Sequence, residues 1–336
     1  MNVTIKDVAK LAGTSTATVS LVLNDRPGVK EETRKKVREA VELIGYRPNF
    51  SARNLAIQKT NTLALIVTDI KNPFFTSLVF EMQQEADARG YVLLLGISNN
   101  EIEREKKLVR MMAERGVDGI LLVPCRYDQS TSSGLEHLYE VKRAKMPIVF
   151  ITDKYPTCPG NCVMTDLEQA NFELTSYLLK RKHERIVLFC DGYGPYYSSQ
   201  RIDGYKRAFK KYGKTFDHNW IVNAGTADTK TAIRYTRDRI LSLNPDAIIC
   251  INATSALGVM AVLKEDGISV PDDISVACFD ELEYNNVLYM PLTYASQNLK
   301  EMCVKSLERM DELLQGDPNE KDILIPSKIY VGSSTD

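Results

Sequence analysis

The chain has 336 residues, 44% hydrophobic and 26% charged, with a formal net charge of −1 at pH 7. That length exceeds what one hydrophobic core usually organises, so two or three compact units are expected, and the polarity excludes a membrane-embedded chain. No apolar run approaches the roughly 20 residues of a bilayer-spanning helix, and Met1 leads into Asn2-Val3-Thr4-Ile5-Lys6-Asp7 without a basic-then-apolar leader. A cytoplasmic, nucleoid-associated location with no membrane partner is therefore expected. Charge is distributed unevenly: residues 1–60 hold eleven Lys and Arg against six Asp and Glu, and residues 61–336 hold 32 against 38. A basic segment on an acidic body suits a chain that meets a polyanion at one end.

Thr4 followed by Asp7 is a helix-capping pair ahead of Val8, Ala9 and Leu11, which predicts a first short helix to about Ala12. Gly13-Thr14 turns the chain, and Ser15 caps a second helix whose apolar face is Ala17, Val19, Val22 and Leu23. A third, about Glu31 to Ile44, places Val37, Val41 and Ile44 inward and ends at Gly45. Two short helices across a glycine turn form a helix-turn-helix. Such a motif lays the start of its second helix in the major groove. Thr16, Ala17, Ser20 and Leu21 then point outward, and Ser15, Thr18 and Asn24 are placed for phosphate oxygens.

After Asn61 the pattern changes to short β-rich runs alternating with amphipathic helices. Strands are predicted at 63–68, 92–96, 119–123, 148–151, 186–190, 247–251 and 275–279, and helices at 75–89, 103–114, 167–182, 199–212, 230–243 and 255–266. Alternating βα units build parallel sheets covered on both faces, and the count requires two Rossmann-like lobes with ligand at the strands' carboxyl ends. Asn72-Pro73-Phe74-Phe75, Asp153-Lys154, Asn252 and Asp280 follow such ends and are expected to line the cleft. Aromatic rings stack on sugar or base faces, and carboxylates and amides bond hydroxyls.

No catalytic constellation is present. GxGxxG, P-loop, GxSxG and HExxH motifs are absent, His137, His183 and His218 are far apart in sequence, and no enzyme activity, cofactor or metal is expected. The seven cysteines are odd in number and mostly inside apolar runs, which reads as buried reduced thiols; Cys158 and Cys162 lack the CxxC spacing of a metal or redox pair.

The stretch from Thr4 to Ala56, with DVAKLAG, TVS-x-VLN, EETR and GYRPN in order, resembles the DNA-binding head of the LacI/GalR family of bacterial repressors, and the likeness continues to about Val331. The resemblance implies an all-α helix-turn-helix head (1–47), a hinge helix and linker (48–60), and an α/β, two-lobed, periplasmic-binding-protein-like core of doubly wound parallel sheets (61–336). Lobe 1 is expected at about 61–153 plus 281–297, and lobe 2 at about 154–280 plus 298–331. It implies a homodimer on a palindromic double-stranded operator, with Thr4, Tyr46, Asn49 and Arg53 on the DNA side and Leu55 wedged into the central minor-groove step. Too short to hold a helix alone in water, the SARNLAI hinge is expected to order only on DNA, where the wedge's unstacking cost is offset by contacts to kinked DNA. Leu21 replaces a side chain that is commonly basic or polar in relatives, which shifts base reading toward thymine methyls.

For the effector, the resemblance matches the NPFF stretch, Asp153, Arg201, Asn252, Asp280 and Gln297 to ligand-contacting positions, with Lys154 where sugar binders often carry Arg. Ala253, Thr226 and Thr165 depart from the usual residues. A sugar is favoured over a purine, and the sign of its effect, release or strengthening of operator binding, is left open. Regulation by a phosphorylated carrier protein and a sugar-binding receptor are the alternatives.

Overall fold

The computed structural model describes residues 3–23, 25–46, 59–125, 134–155, 157–158, 160–190, 195–226 and 228–336. The chain divides into two compact units, Met1–Thr60 and Asn61–Asp336.

Among the described residues the first unit holds three helices, α1 (Ile5–Leu11), α2 (Thr16–Leu23) and α3 (Glu31–Ile44). Their ends are set by the capping chemistry in the sequence. Asp7 accepts from the Thr4 N–H at 2.9 Å and from its hydroxyl at 2.7 Å, while Ser15 Oγ accepts from the Thr18 N–H at 3.1 Å. Gly45 closes α3 at φ 62°, a left-handed conformation that costs glycine little. Val8, Ala9, Val19, Val22, Val37 and Ala40 form its buried centre, with Tyr46 packed against them.

The second unit holds two six-stranded sheets. The first has the order β11-β5-β4-β3-β1-β2, from β1 (Thr62–Val67), β2 (Val92–Ile97), β3 (Gly119–Leu122), β4 (Ile148–Ile151), β5 (Asn161–Thr165) and β11 (Asp322–Ile325). The second has the order β12-β10-β9-β8-β6-β7, from β6 (Ile186–Cys190), β7 (Ile221–Asn223), β8 (Ala247–Cys250), β9 (Ser275–Phe279), β10 (Thr293–Ser296) and β12 (Lys328–Tyr330). Every pairing is parallel except the antiparallel edge β12 on β10. Because both faces of a parallel sheet are covered, alternate residues of β1 enter different cores: Leu63, Leu65 and Val67 on one face, Ala64 and Ile66 on the other. The second sheet divides in the same way.

Among the described residues, eight helices cover these faces: α4 (Pro73–Ala88), α5 (Ile102–Glu114), α6 (Glu136–Arg143), α7 (Leu167–Lys180), α8 (Pro195–Lys211), α9 (Thr229–Tyr235), α10 (Ala253–Glu265) and α11 (Leu299–Leu314). The helix predicted over 230–243 is composite, α9 widening to a π turn at Thr236–Ile240 and tightening to 3-10 at Leu241–Leu243. All seven cysteines are buried, and none is in a disulfide.

The lobe boundaries differ from expectation. Lobe 1 was expected to take 281–297 and lobe 2 to take 154–280 and 298–331; instead β5 and residues 299–325 belong to the first sheet's lobe, and β10 belongs to the second. The cause lies in packing partners. β5 extends the first sheet beside β4, β10 returns beside β9, and the apolar stripe Met302, Cys303, Leu307 and Met310 of α11 fits the face of Leu63 and Leu65. The chain thus crosses between lobes three times, after β5, after β10 and after β11.

Candidate nucleic-acid face and effector cleft

In the head, α2 buries Val19 and Val22 and leaves Thr16, Ala17 and Leu21 exposed, with Thr18 and Ser20 half-buried. The outward set is small and largely non-ionic, so it can make methyl contacts and hydroxyl hydrogen bonds but no bidentate guanidinium fork. Ser15 and Thr18 are also joined by their hydroxyls at 2.9 Å; both stand at the helix N-terminus, whose unsatisfied N–H groups favour a phosphate. Thr4 is exposed and Tyr46 half-buried against the head's core. Asn24, Asn49, Arg53 and Leu55 lie outside the described residues.

In the second unit the carboxyl ends of β4 and β9 turn sharply. Thr152 takes φ 70° and Asp280 φ 69°, uncommon values for residues with a Cβ, and both are buried. Asp280 accepts from Gln297 Nε2 at 2.5 Å. A cavity of about 450 Å³ opens between the lobes, and Phe74 of α4, Asp280 and Gln297 all line it. Among the sequence-predicted residues, these three are brought together.

The other predicted residues stand around that space with their own partners. Asn72 caps α4, accepting from the Phe74 N–H at 3.1 Å, and Phe75 meets Phe74 edge-on at 5.2 Å while packing on the core below. Asp153 accepts from the Lys154 N–H at 2.8 Å, and the Lys154 ammonium pairs with Asp322. Asn252 caps α10 through the Ser255 N–H at 2.7 Å. Arg201 is fully buried, its guanidinium 4.3 Å from the centre of the Phe279 ring. The backbone carbonyl of Arg201 accepts from Asn171 Nδ2 at 2.6 Å, and Gly204 makes that approach possible, since a Cβ there would stand 2.1 Å from the Glu168 carbonyl oxygen.

Two groups of functional interest escaped sequence reasoning. The cavity is also lined by Glu81, Glu281, Glu283 and Lys300, which follow the expected positions too closely or too remotely to be singled out by strand-end rules. Inside lobe 1, Glu105 is wholly buried and accepts from Tyr155 Oη at 2.9–3.0 Å, from the Cys125 N–H at 2.8 Å, and lies 3.0 Å from His137 Nε2. Its signal was visible: Ile102, Glu105, Val109 and Met112 share one helical stripe, and a lone acid on an apolar stripe needs buried partners. Burial, with the nearby Glu105 charge second, pushes the Tyr155 hydroxyl far above its ordinary value.

A helix-turn-helix unit joined in one chain to a two-lobed, periplasmic-binding-type core defines the class of ligand-responsive transcription regulators. Comparison with known proteins agrees. The family described as "Bacterial regulatory proteins, lacI family" matches residues 4–49, and "Periplasmic binding proteins and sugar binding domain of LacI family" matches residues 60–332. An HTH-type transcriptional repressor PurR of Vibrio atlanticus (strain LGP32) is 33% identical over 324 residues, covering 95% of this chain and 94% of the relative. In fold, the chain is similar to a Lac repressor dimer bound to operator and the anti-inducer ONPF (TM-score 0.86, 24% identity, 100% and 99% of the two chains). It is also similar to a transcriptional regulator CelR–cellobiose complex (TM-score 0.72, 23% identity, 99% of each chain). The chain belongs to the LacI family of bacterial transcriptional regulators, a family of regulators rather than enzymes. No helix among the described residues is long and apolar enough to cross a membrane.

Proposed function

We propose that this regulator represses transcription in the cytoplasm as a homodimer on a palindromic operator, released or strengthened by a sugar bound between its lobes. The head, residues 1–47, reads the major groove through Thr16, Ala17, Ser20 and Leu21. Ser15, Thr18, Thr4, Asn24 and Tyr46 hold the phosphate backbone. The hinge, 48–60, adds Asn49, Arg53 and the minor-groove wedge Leu55, and the core, 61–336, senses effector through Phe74, Asp280 and Gln297. Asn72, Phe75, Asp153, Lys154, Arg201 and Asn252 support that site from the adjoining strand ends. One observation carries this reading: the same cavity is walled by α4 of one lobe and by the β9 end of the other. A ligand there gains by lobe closure, and its leverage equals its differential affinity for the open and closed forms.

The test pairs two measurements on the full chain. Binding to promoter fragments should weaken steeply with salt, as phosphate contacts demand, and sugars should raise the melting temperature by mass action. Asp280→Ala should abolish the sugar response while operator binding persists. A flat salt dependence would remove the DNA reading, and an undiminished sugar response in Asp280→Ala would move the effector elsewhere.

A further inference from the structure

The amide of Gln297 has one end committed and one end without a partner among the described residues. Its Nε2 must be the atom against Asp280, because a carboxylate only accepts. That orientation leaves Oε1 buried and without a hydrogen-bond partner among the described residues, and Gln297 is only 3% exposed. A buried acceptor left without a donor costs free energy, and the residue that carries it lines the cavity between the lobes. It calls for a ligand that donates.

The rest of the wall has the same polarity. Asp280, Glu281 and Glu283 come from the end of β9 and Glu81 from α4, against the single ammonium of Lys300 among the lining residues. Neither Lys154 nor Arg201 lines this cavity; the first is paired with Asp322 and the second packs on Phe279. Glu281 also takes part in holding the Tyr294 hydroxyl above its ordinary value, after burial as the larger cause. Four carboxylates and an amide oxygen around one cavity, with an aromatic face from Phe74, repel a phosphate or carboxylate and attract a cation that carries several N–H donors.

We infer that the effector of this protein is an amino sugar with a free, protonated amine, held by the Gln297 Oε1 and the carboxylates of Asp280, Glu281, Glu283 and Glu81. The inference rests on the proposed sugar-binding role of the cleft and narrows it. The amine fills the acceptor that a neutral sugar could satisfy only with a hydroxyl, and closure of Glu81 toward the β9 end brings the two lobes' negative charges onto the same cation. A cation of this charge offsets the mutual repulsion of carboxylates that come from both lobes.

Isothermal titration of the full-length protein with glucosamine, galactosamine and mannosamine, each beside its neutral parent hexose and the parent's 6-phosphate, tests this. At least one amino sugar should bind about tenfold more tightly than its parent, its affinity should fall with added salt, and the phosphates should not bind. Glu281→Gln with Glu283→Gln should cut the ratio of amino-sugar to parent affinity by about threefold. Equal or tighter binding of a neutral or phosphorylated hexose overturns the amine assignment and leaves the sugar role intact. Absence of binding by all three classes, in protein that still retains promoter DNA, overturns both.

Discussion

The head and the core are held on different length scales. Among its described residues the head encloses six buried apolar side chains, and its helix ends are fixed by contacts three residues apart, Thr4 with Asp7 and Ser15 with Thr18. The core fills four apolar layers, two on each sheet, with partners hundreds of residues apart, such as Tyr91 with Asp311 at 2.7 Å. Local capping contributes about 1 kcal/mol per site, whereas each core layer gains from many buried side chains at about 1.5–3 kcal/mol each. The head is therefore the part whose stability can be removed with the least chemistry, and the core the part where single changes are costliest.

Four substitutions sharpen that contrast. The largest loss is expected from Glu105→Ala, which strands Tyr155, His137 and the Cys125 N–H without their acceptor; urea unfolding of the core should lose about 3–5 kcal/mol. An unchanged midpoint would show that the cluster relaxes freely. Next is Gly204→Ala, whose Cβ must displace the Glu168 carbonyl and should cost the second lobe about 2–3 kcal/mol; thermal unfolding reads it, and a loss below experimental error would mean that α7 and α8 part easily. Val19→Ala in the head removes two carbons from a small core for about 2 kcal/mol. Its distinctive result is weakened promoter binding with the core's unfolding curve unmoved, and a shifted core curve would contradict the separation of the two units.

Asp7→Asn should have the smallest effect, and its pH dependence carries the information. Hydrogen bonds from the Thr4 side chain and then its backbone hold the Asp7 carboxyl below its ordinary value of 3.8. A lowered folded-state pKa stabilises the head above that ordinary value, and the benefit is lost as pH falls through the folded-state value. Head melting followed from pH 7 to acid should show wild type slightly ahead of the variant at neutral pH and the two converging in acid. Parallel curves would mean that the Thr4–Asp7 contact contributes nothing in solution.

The same contrast of scale explains what the amino-acid sequence disclosed. Caps, the Gly45 stop and the periodicity of Val19 and Val22 are near-neighbour signals, so all three head helices were legible close to their ends. Seven strands of the core were legible as apolar runs, but β5, β7, β10, β11 and β12 are short and partly polar, and their identity depends on which strand lies beside them. That missing information placed 281–297 and 298–325 in the wrong lobes. Phe74, Asp280 and Gln297 were found at one cavity, the first two from strand ends and Gln297 from family likeness. Glu81, Glu281 and Glu283 were not, since a glutamate on a helix or after a strand reads as solvated surface until the opposing lobe is in view.

The three crossings between the lobes bear on how the polypeptide matures on the ribosome. The head has all of its residues once Tyr46 has emerged, but the first sheet lacks an edge strand until Asp322–Ile325 is made, and the second awaits Lys328–Tyr330. N-terminal units fold first during synthesis; the three head helices are made long before either sheet of the core receives its last strand.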